Sequence, residues 1–212
     1  FIDFDELMEK VEVSQKRLYK AFLKDLSVVA VPRLAVFTFP IVYAAAFYFN
    51  IISYSLLGFF GMWITLYGGA TVLKAAYSYP KSGSYSENTV MNLLGNVYAS
   101  PVRGEKASLK GKIIGRGNAG YFAGSDLKIR DSTGMIHLVY QSIFGRIGNF
   151  FFGWRKAENY IDTEVEIKGW YFRGLMPRIE MRKLGEKDSY PHLYPYIIGG
   201  LMLVIGLVMA VI

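Results

Sequence analysis

Cysteine is absent from the 212 residues, which excludes disulfides, thiolate metal sites and thiol nucleophiles and leaves the redox compartment unread. Histidine is nearly absent. The two present, His137 and His192, stand far apart with no HExxH around them, so this chain alone assembles no zinc site of that kind. His137 reads as a strand residue with a hydrogen-bonded ring. The run GRGNAG lacks the GK[ST] of a phosphate loop and leads into a strand, so turn glycines account for it better. Asp126, Asp131, Glu164 and Glu166 have no recognisable partner base and read as solvated or ion-paired. No catalytic residue, metal ligand or cofactor is assigned on this pattern.

Charge is missing where it is most informative. Between Leu34 and Leu73 there is no Asp, Glu, Lys or Arg, a run of about 40 residues. A bilayer core takes about 20 residues per helix, so the run predicts a two-helix transmembrane hairpin. The break is expected near Asn50 to Ser55, with Tyr48 and Tyr54 as interfacial anchors, and Pro40 falls inside the first span. Residues 196–212 read as a third span carrying Gly199, Gly200 and Gly206. A mean hydropathy of +0.25 with 52 % hydrophobic residues is too apolar for an ordinary soluble domain and agrees with this. Because the sequence starts at Phe1 and is still apolar at Ile212, both ends read as trimmed, processed or unresolved.

What charge there is sits on one side. Lys16, Arg17, Lys20, Lys24 and Arg33 precede the hairpin, Lys74 and Lys81 follow it, and its tip is uncharged, so both flanks are expected in the cytoplasm. Residues 74 to 189 hold 18 Lys and Arg against 11 Asp and Glu and so account for the net charge of +7. In residues 1–33 the positions Phe4, Met8, Val11, Leu18, Phe22 and Leu26 recur at helical spacing between charged residues. That is an amphipathic cytoplasmic helix, expected to pack on the domain more than to lie in lipid. Residues 74–108 read as a linker rich in Ser, Gly and Pro, with a short helical patch at Thr89 to Leu94 and tyrosines Tyr77, Tyr79, Tyr85 and Tyr98 that suit an interface.

Past Ser108 the period becomes two. Strands are expected at Leu109 to Gly115, Leu127 to Arg130, Met135 to Tyr140, Thr163 to Phe172 and Arg178 to Lys183, with a helix over residues 143–160. Three strands, a helix and two strands is the order of the OB barrel, here spanning residues 109–184. The expected fold is therefore a membrane α-helical protein, a two-helix hairpin plus a C-terminal span, with an inserted all-β, OB-like five-stranded barrel. Nucleic acid is disfavoured as a partner, because the second and third strands offer only Tyr140 as a stacking aromatic.

The helix carries the docking expectation. Phe144, Ile147, Phe150, Phe151, Phe152 and Trp154 give more apolar surface than a barrel plug needs. Together with Arg155 they are the expected docking site for the lipid bilayer, a protein partner or a second copy.

The runs SPVRG, GxIIGRG, DLxIRDxTG and GWYxRGxxP, within residues 78 to 184, resemble the region that follows the peptidase domain in archaeal HtpX-like membrane zinc metallopeptidases. The resemblance implies a role in membrane-protein quality control, but the HExxH helix of those proteins is missing here. The expected function is a non-catalytic, multi-pass cell-membrane module that positions or regulates a protein partner at the cytoplasmic surface. Two alternatives stand beside it: the C-terminal part of such a peptidase, or a structural subunit of a larger membrane assembly.

Overall fold

The helical spacing of the N-terminal region and the uncharged run after it fold into a single rod. In the computed structural model, which describes residues 4–52, 55–117 and 125–211, α1 (Phe4–Asp25) passes through a five-residue π segment (Leu26–Ala30) into α2 (Val31–Tyr48). The amphipathic helix expected over residues 1–33 is thus not a separate element from the first span. Pro32 explains the irregular turn, since its ring has no N–H to give and crowds the turn before it. At 1.5 Å per residue the rod measures about 67 Å against a bilayer core of about 30 Å, so α1 extends well beyond the core. Leu18, Phe22 and Leu26 stay exposed along it. Among the described residues, Ser14, Arg17 and Asp25 of α1 reach the segment after α3, as described below.

The chain turns at residues 49–55, with Asn50 in the left-handed region, and returns as α3 (Leu56–Ser78), whose first turn is capped by the Ser55 hydroxyl. The tip residues Ser53 and Tyr54 lie outside the described residues. A third helix, α6 (Tyr194–Val211), runs antiparallel to α3. All three helices are long and apolar enough to cross a bilayer, as in a membrane protein. α3 and α6 meet backbone to backbone. A Cβ on Gly61 would come within 2.7 Å of the Gly206 carbonyl, and one on Gly68 within 2.7 Å of the Gly199 carbonyl, so the seven-residue spacing of the glycines on one helix matches that on the other. In lipid no hydrophobic effect drives helices together, and such close approach supplies the dispersion contact that holds them.

Between α3 and α6 the chain builds a closed five-stranded barrel. β2 (Glu105–Arg116), β3 (Asp126–Arg130), β4 (Met135–Val139), β6 (Arg178–Leu184) and β5 (Glu164–Phe172) neighbour one another in that order, and β5 pairs back onto β2. Every pairing in the ring is antiparallel except β4 with β6. Alternate residues point inward, and Leu109, Ile113, Leu127, Ile129, Leu138, Ile167 and Ile179 are fully buried. Two small strands are added, β1 (Ser86–Asn88) beside β2 and β7 (Lys187–Asp188) beside β6. Most of the glycine-rich run 115–124 lies outside the described residues.

The segment read as a linker is structured. It contains β1 and α4 (Val90–Gly95), and Val90 and Leu93 are buried in the barrel's own core cluster. Asp131 holds α4 in place, accepting the Val90 N–H at 2.8 Å through one oxygen and the N–H groups of Thr133 and Gly134 through the other. Burial alone would raise its pKa, but these hydrogen bonds outweigh it and hold the carboxyl below the ordinary range.

Candidate functional site

α5 (Gly145–Arg155) bridges β4 to β5 and is pinned on its inner side. Asn149 ties it to the preceding loop, its Oδ1 accepting the Ser142 N–H at 2.6 Å. A Cβ on Gly148 would strike the Ser142 side chain, so the glycines that weaken the helix by propensity permit this close seat. Phe152 is 3 % exposed and stacks on Tyr140 with ring centroids 3.8 Å apart.

This corrects one of the expected docking residues. Phe152 belongs to the barrel core, because it lies on the helix face turned toward Tyr140 and Tyr160. Tyr140, the one stacking aromatic expected on the strands, is taken up by the same core. The other apolar positions, Phe144, Ile147, Phe150, Phe151 and Trp154, are between 47 % and 77 % exposed. Their spacing along the helix gathers them into one stripe. Phe150 touches Phe151 and Trp154 at ring centroid distances of 5.8 and 6.1 Å, and the Arg155 guanidinium lies 5.5 Å from the Trp154 ring centroid.

The stripe has a direction. At its start, Gly145 has φ of +61° and sits where a Cβ would meet the ring of Tyr194, the first residue of α6. Just past its end, Glu158 pairs with Arg116 at the end of β2 remote from α3. The helix therefore rises from the level at which α6 leaves the barrel toward the barrel's far end. Phe144 and Trp154 are about 15 Å apart along its axis.

A second set of groups fixes the barrel on the helices, and sequence reasoning did not single it out as a site. The Glu180 carboxylate receives the guanidinium of Arg178 at 3.0 Å and, through its other oxygen, the hydroxyl of Tyr79. Burial first, and then the Glu180 carboxylate, push the Tyr79 phenol far above its ordinary pKa, so it remains a donor. The Tyr79 ring also meets Trp170 and Phe172 edge-on, and Trp170 lies 5.1 Å from His192. On the other flank Asp25 accepts from Tyr77 and Ser100, each at 2.6 Å. Tyr98 donates to Ser14 at 3.0 Å and lies under Arg17. Three of the four linker tyrosines thus touch the helical rod or the barrel seat through their hydroxyls. The signal that pointed here was the position of these tyrosines beside the end of the uncharged run.

Among the described residues no group of three or more His, Asp or Glu side chains is placed to hold a metal ion. No family model matches the chain, and no curated protein is detectably similar to it.

Proposed function

We propose that this chain is a membrane-anchored module whose barrel, of the OB type, positions a protein partner at the cytoplasmic surface through the aromatic stripe of α5. The closing order of the strands, with the single parallel pairing between β4 and β6 and a helix between β4 and β5, supports the OB reading. Basic flanks on the barrel side of the hairpin support a cytoplasmic barrel. The quality-control setting implied by the HtpX-like motifs is one in which such a module would work beside a membrane peptidase.

The observation that carries the partner reading is the direction of the stripe. Phe144 lies beside the start of α6 and Trp154 about 15 Å along the helix axis toward the far end of the barrel, so a partner that itself stands on the membrane would cover the whole stripe better than lipid at its foot. Burying each ring contributes on the order of 2 kcal/mol. Photo-crosslinking residues placed at Ile147 and at Trp154 in intact membranes test this. A protein adduct of the same discrete mass at both positions is expected, and Phe150→Ser with Phe151→Ser abolishes it. Lipid adducts at Ile147 with none at Trp154 would instead make the stripe an interfacial anchor. Cysteines at Lys16 and Lys128 are expected to be labelled from one side of sealed vesicles and a cysteine at Asn50 from the other. Labelling of the first two from opposite sides refutes the orientation.

A further inference from the structure

Where the helices meet the barrel they leave a cavity of about 790 Å³. It lies between α2 and α3, which touch near the hairpin tip, where Phe59 stacks on Phe39 and meets Tyr43 edge-on, while at the barrel α3 is tied to the end of α1, where Tyr77 donates to Asp25. Between those contacts Trp63 bridges the two helices, its Nε1 donating to the Val36 carbonyl at 3.0 Å, and the cavity opens on the barrel side of that bridge. The walls change in kind along this gap. Toward the bilayer they are Val36, Phe37, Trp63 and Tyr67, and at the barrel end they are Arg33, Lys74, Arg178 and Glu180.

The charges at that end do not cancel. Glu180 is fully engaged by Arg178 and Tyr79. Arg33 and Lys74, the two residues that bound the uncharged run, make no hydrogen bond or salt bridge to another described residue, although Arg33, Arg178 and Glu180 all act electrostatically on Lys74. A third group has the same want of a partner. Ser78 lines the cavity at 4 % exposure, and its Oγ has no hydrogen-bond partner, an arrangement that costs free energy in an empty site.

Two uncompensated cations and a buried hydroxyl thus sit at the mouth of an apolar gap, at the level where the uncharged run stops. We propose that this cavity binds an anionic phospholipid. Its phosphate lies between Arg33 and Lys74, the Ser78 hydroxyl donates to the same headgroup, and one acyl chain lies between α2 and α3 as far as the Trp63 indole. Charge complementarity selects the headgroup, because a zwitterionic lipid would bring a second cation toward Lys74 and Arg178.

The full chain in vesicles tests the assignment through Trp63. Acyl-brominated phosphatidylglycerol and acyl-brominated phosphatidylcholine are each titrated into unbrominated phosphatidylcholine vesicles. The quenching of Trp63 is taken as the difference between the wild type and Trp63→Phe. Quenching is expected at a mole fraction of the anionic lipid about tenfold lower than that of the zwitterionic one. Arg33→Gln with Lys74→Gln is expected to erase the preference, and Lys74→Arg to keep it. Equal quenching by the two lipids in the wild type overturns the proposal without recourse to any charge variant, as does a preference that survives the double change. Loss of the preference on adding millimolar inorganic phosphate makes the occupant a soluble anion and overturns the lipid.

Discussion

In the barrel, the residues with no exposed surface include Leu127, Ile129, Leu138, Ile167 and Ile179, while the buried residues at which α3 and α6 meet are the glycines Gly61, Gly68, Gly199 and Gly206. On the outside the relation reverses. Ile41, Val42 and Val204 lie on the outside of the helices with more than half their surface uncovered, whereas the barrel strands show Lys110, Arg130 and Lys183. The solvent explains both patterns. Water drives large apolar side chains inward and makes volume the stabilising quantity, while lipid leaves them indifferent and rewards only close approach. The same residue type is therefore core in one half of the chain and surface in the other.

The largest way to break this comparison is to remove volume from the barrel. Leu138→Ala is expected to cost about 2–5 kcal/mol in a denaturant melt followed by fluorescence of the full chain in detergent. Ile41→Ala, an equal loss of apolar surface on the lipid side, is expected to stay within about 0.5 kcal/mol. A comparable cost at both positions would mean that α2 is covered by protein. Adding volume to the helix pair comes next. Gly68→Leu forces the backbones of α3 and α6 apart, at about 1–3 kcal/mol. Disulfide formation between cysteines at Gly69 and Leu203 is expected to fall several-fold, and unchanged cross-linking would show that the glycines do not set the spacing.

Polar contacts at the edges of the barrel give smaller effects. Asp131→Ala frees the N–H groups of Val90, Thr133 and Gly134 and is expected to cost about 1–3 kcal/mol, read as faster amide exchange at Val90 and Gly134. Because this carboxyl is held below its ordinary pKa in the fold, its contribution is complete above about pH 4 and is lost as pH falls through the folded value. The smallest effect concerns His192. Burial first, then Arg182 and Lys81, lower its pKa, and its Nδ1 has no hydrogen-bond partner. A depressed imidazole pKa means that the unfolded chain takes up the proton first. The seat beside Trp170 is thus fully stable above about pH 6.5 and weakens as pH falls below it. His192→Phe is expected to flatten that dependence, and an unchanged profile would assign it elsewhere.

Much of the fold was legible because period and charge report directly on environment. The uncharged run from Leu34 to Leu73 marked two helices, and the alternation in Leu127 to Arg130 and Arg178 to Lys183 marked strands. Three features were not legible. The fusion of α1 with α2 runs through a π turn at Leu26–Ala30 just before Pro32, where a proline in sequence reads as a break between helices. β2 begins at Glu105, before Leu109, because its first residues are shaped by pairing with β5, and such long-range pairing has no local signature. β1 and α4 were hidden in a segment whose Ser, Gly and Pro content reads as flexible, although the Thr89 cap and the Asp131 carboxylate fix it through contacts distant in sequence. At the candidate site, the aromatic excess of α5 was evident, but assigning Phe152 to the inner face needed the position of Tyr140.

The short strand β1 has a consequence for how copies of this chain behave together. β2 gives one edge to β5 along Glu105 to Lys112, but its other edge meets β3 only from Lys112 onward. The stretch opposite Ala107 to Leu109 would be bare backbone, and β1 is what closes it. Unpaired strand edges recruit strands from neighbouring molecules, and confinement to a membrane raises the local concentration of neighbours by restricting them to two dimensions. The segment that leads out of α3 thus also acts as a guard against sheet-to-sheet aggregation, in the half of the barrel that lies nearest the bilayer.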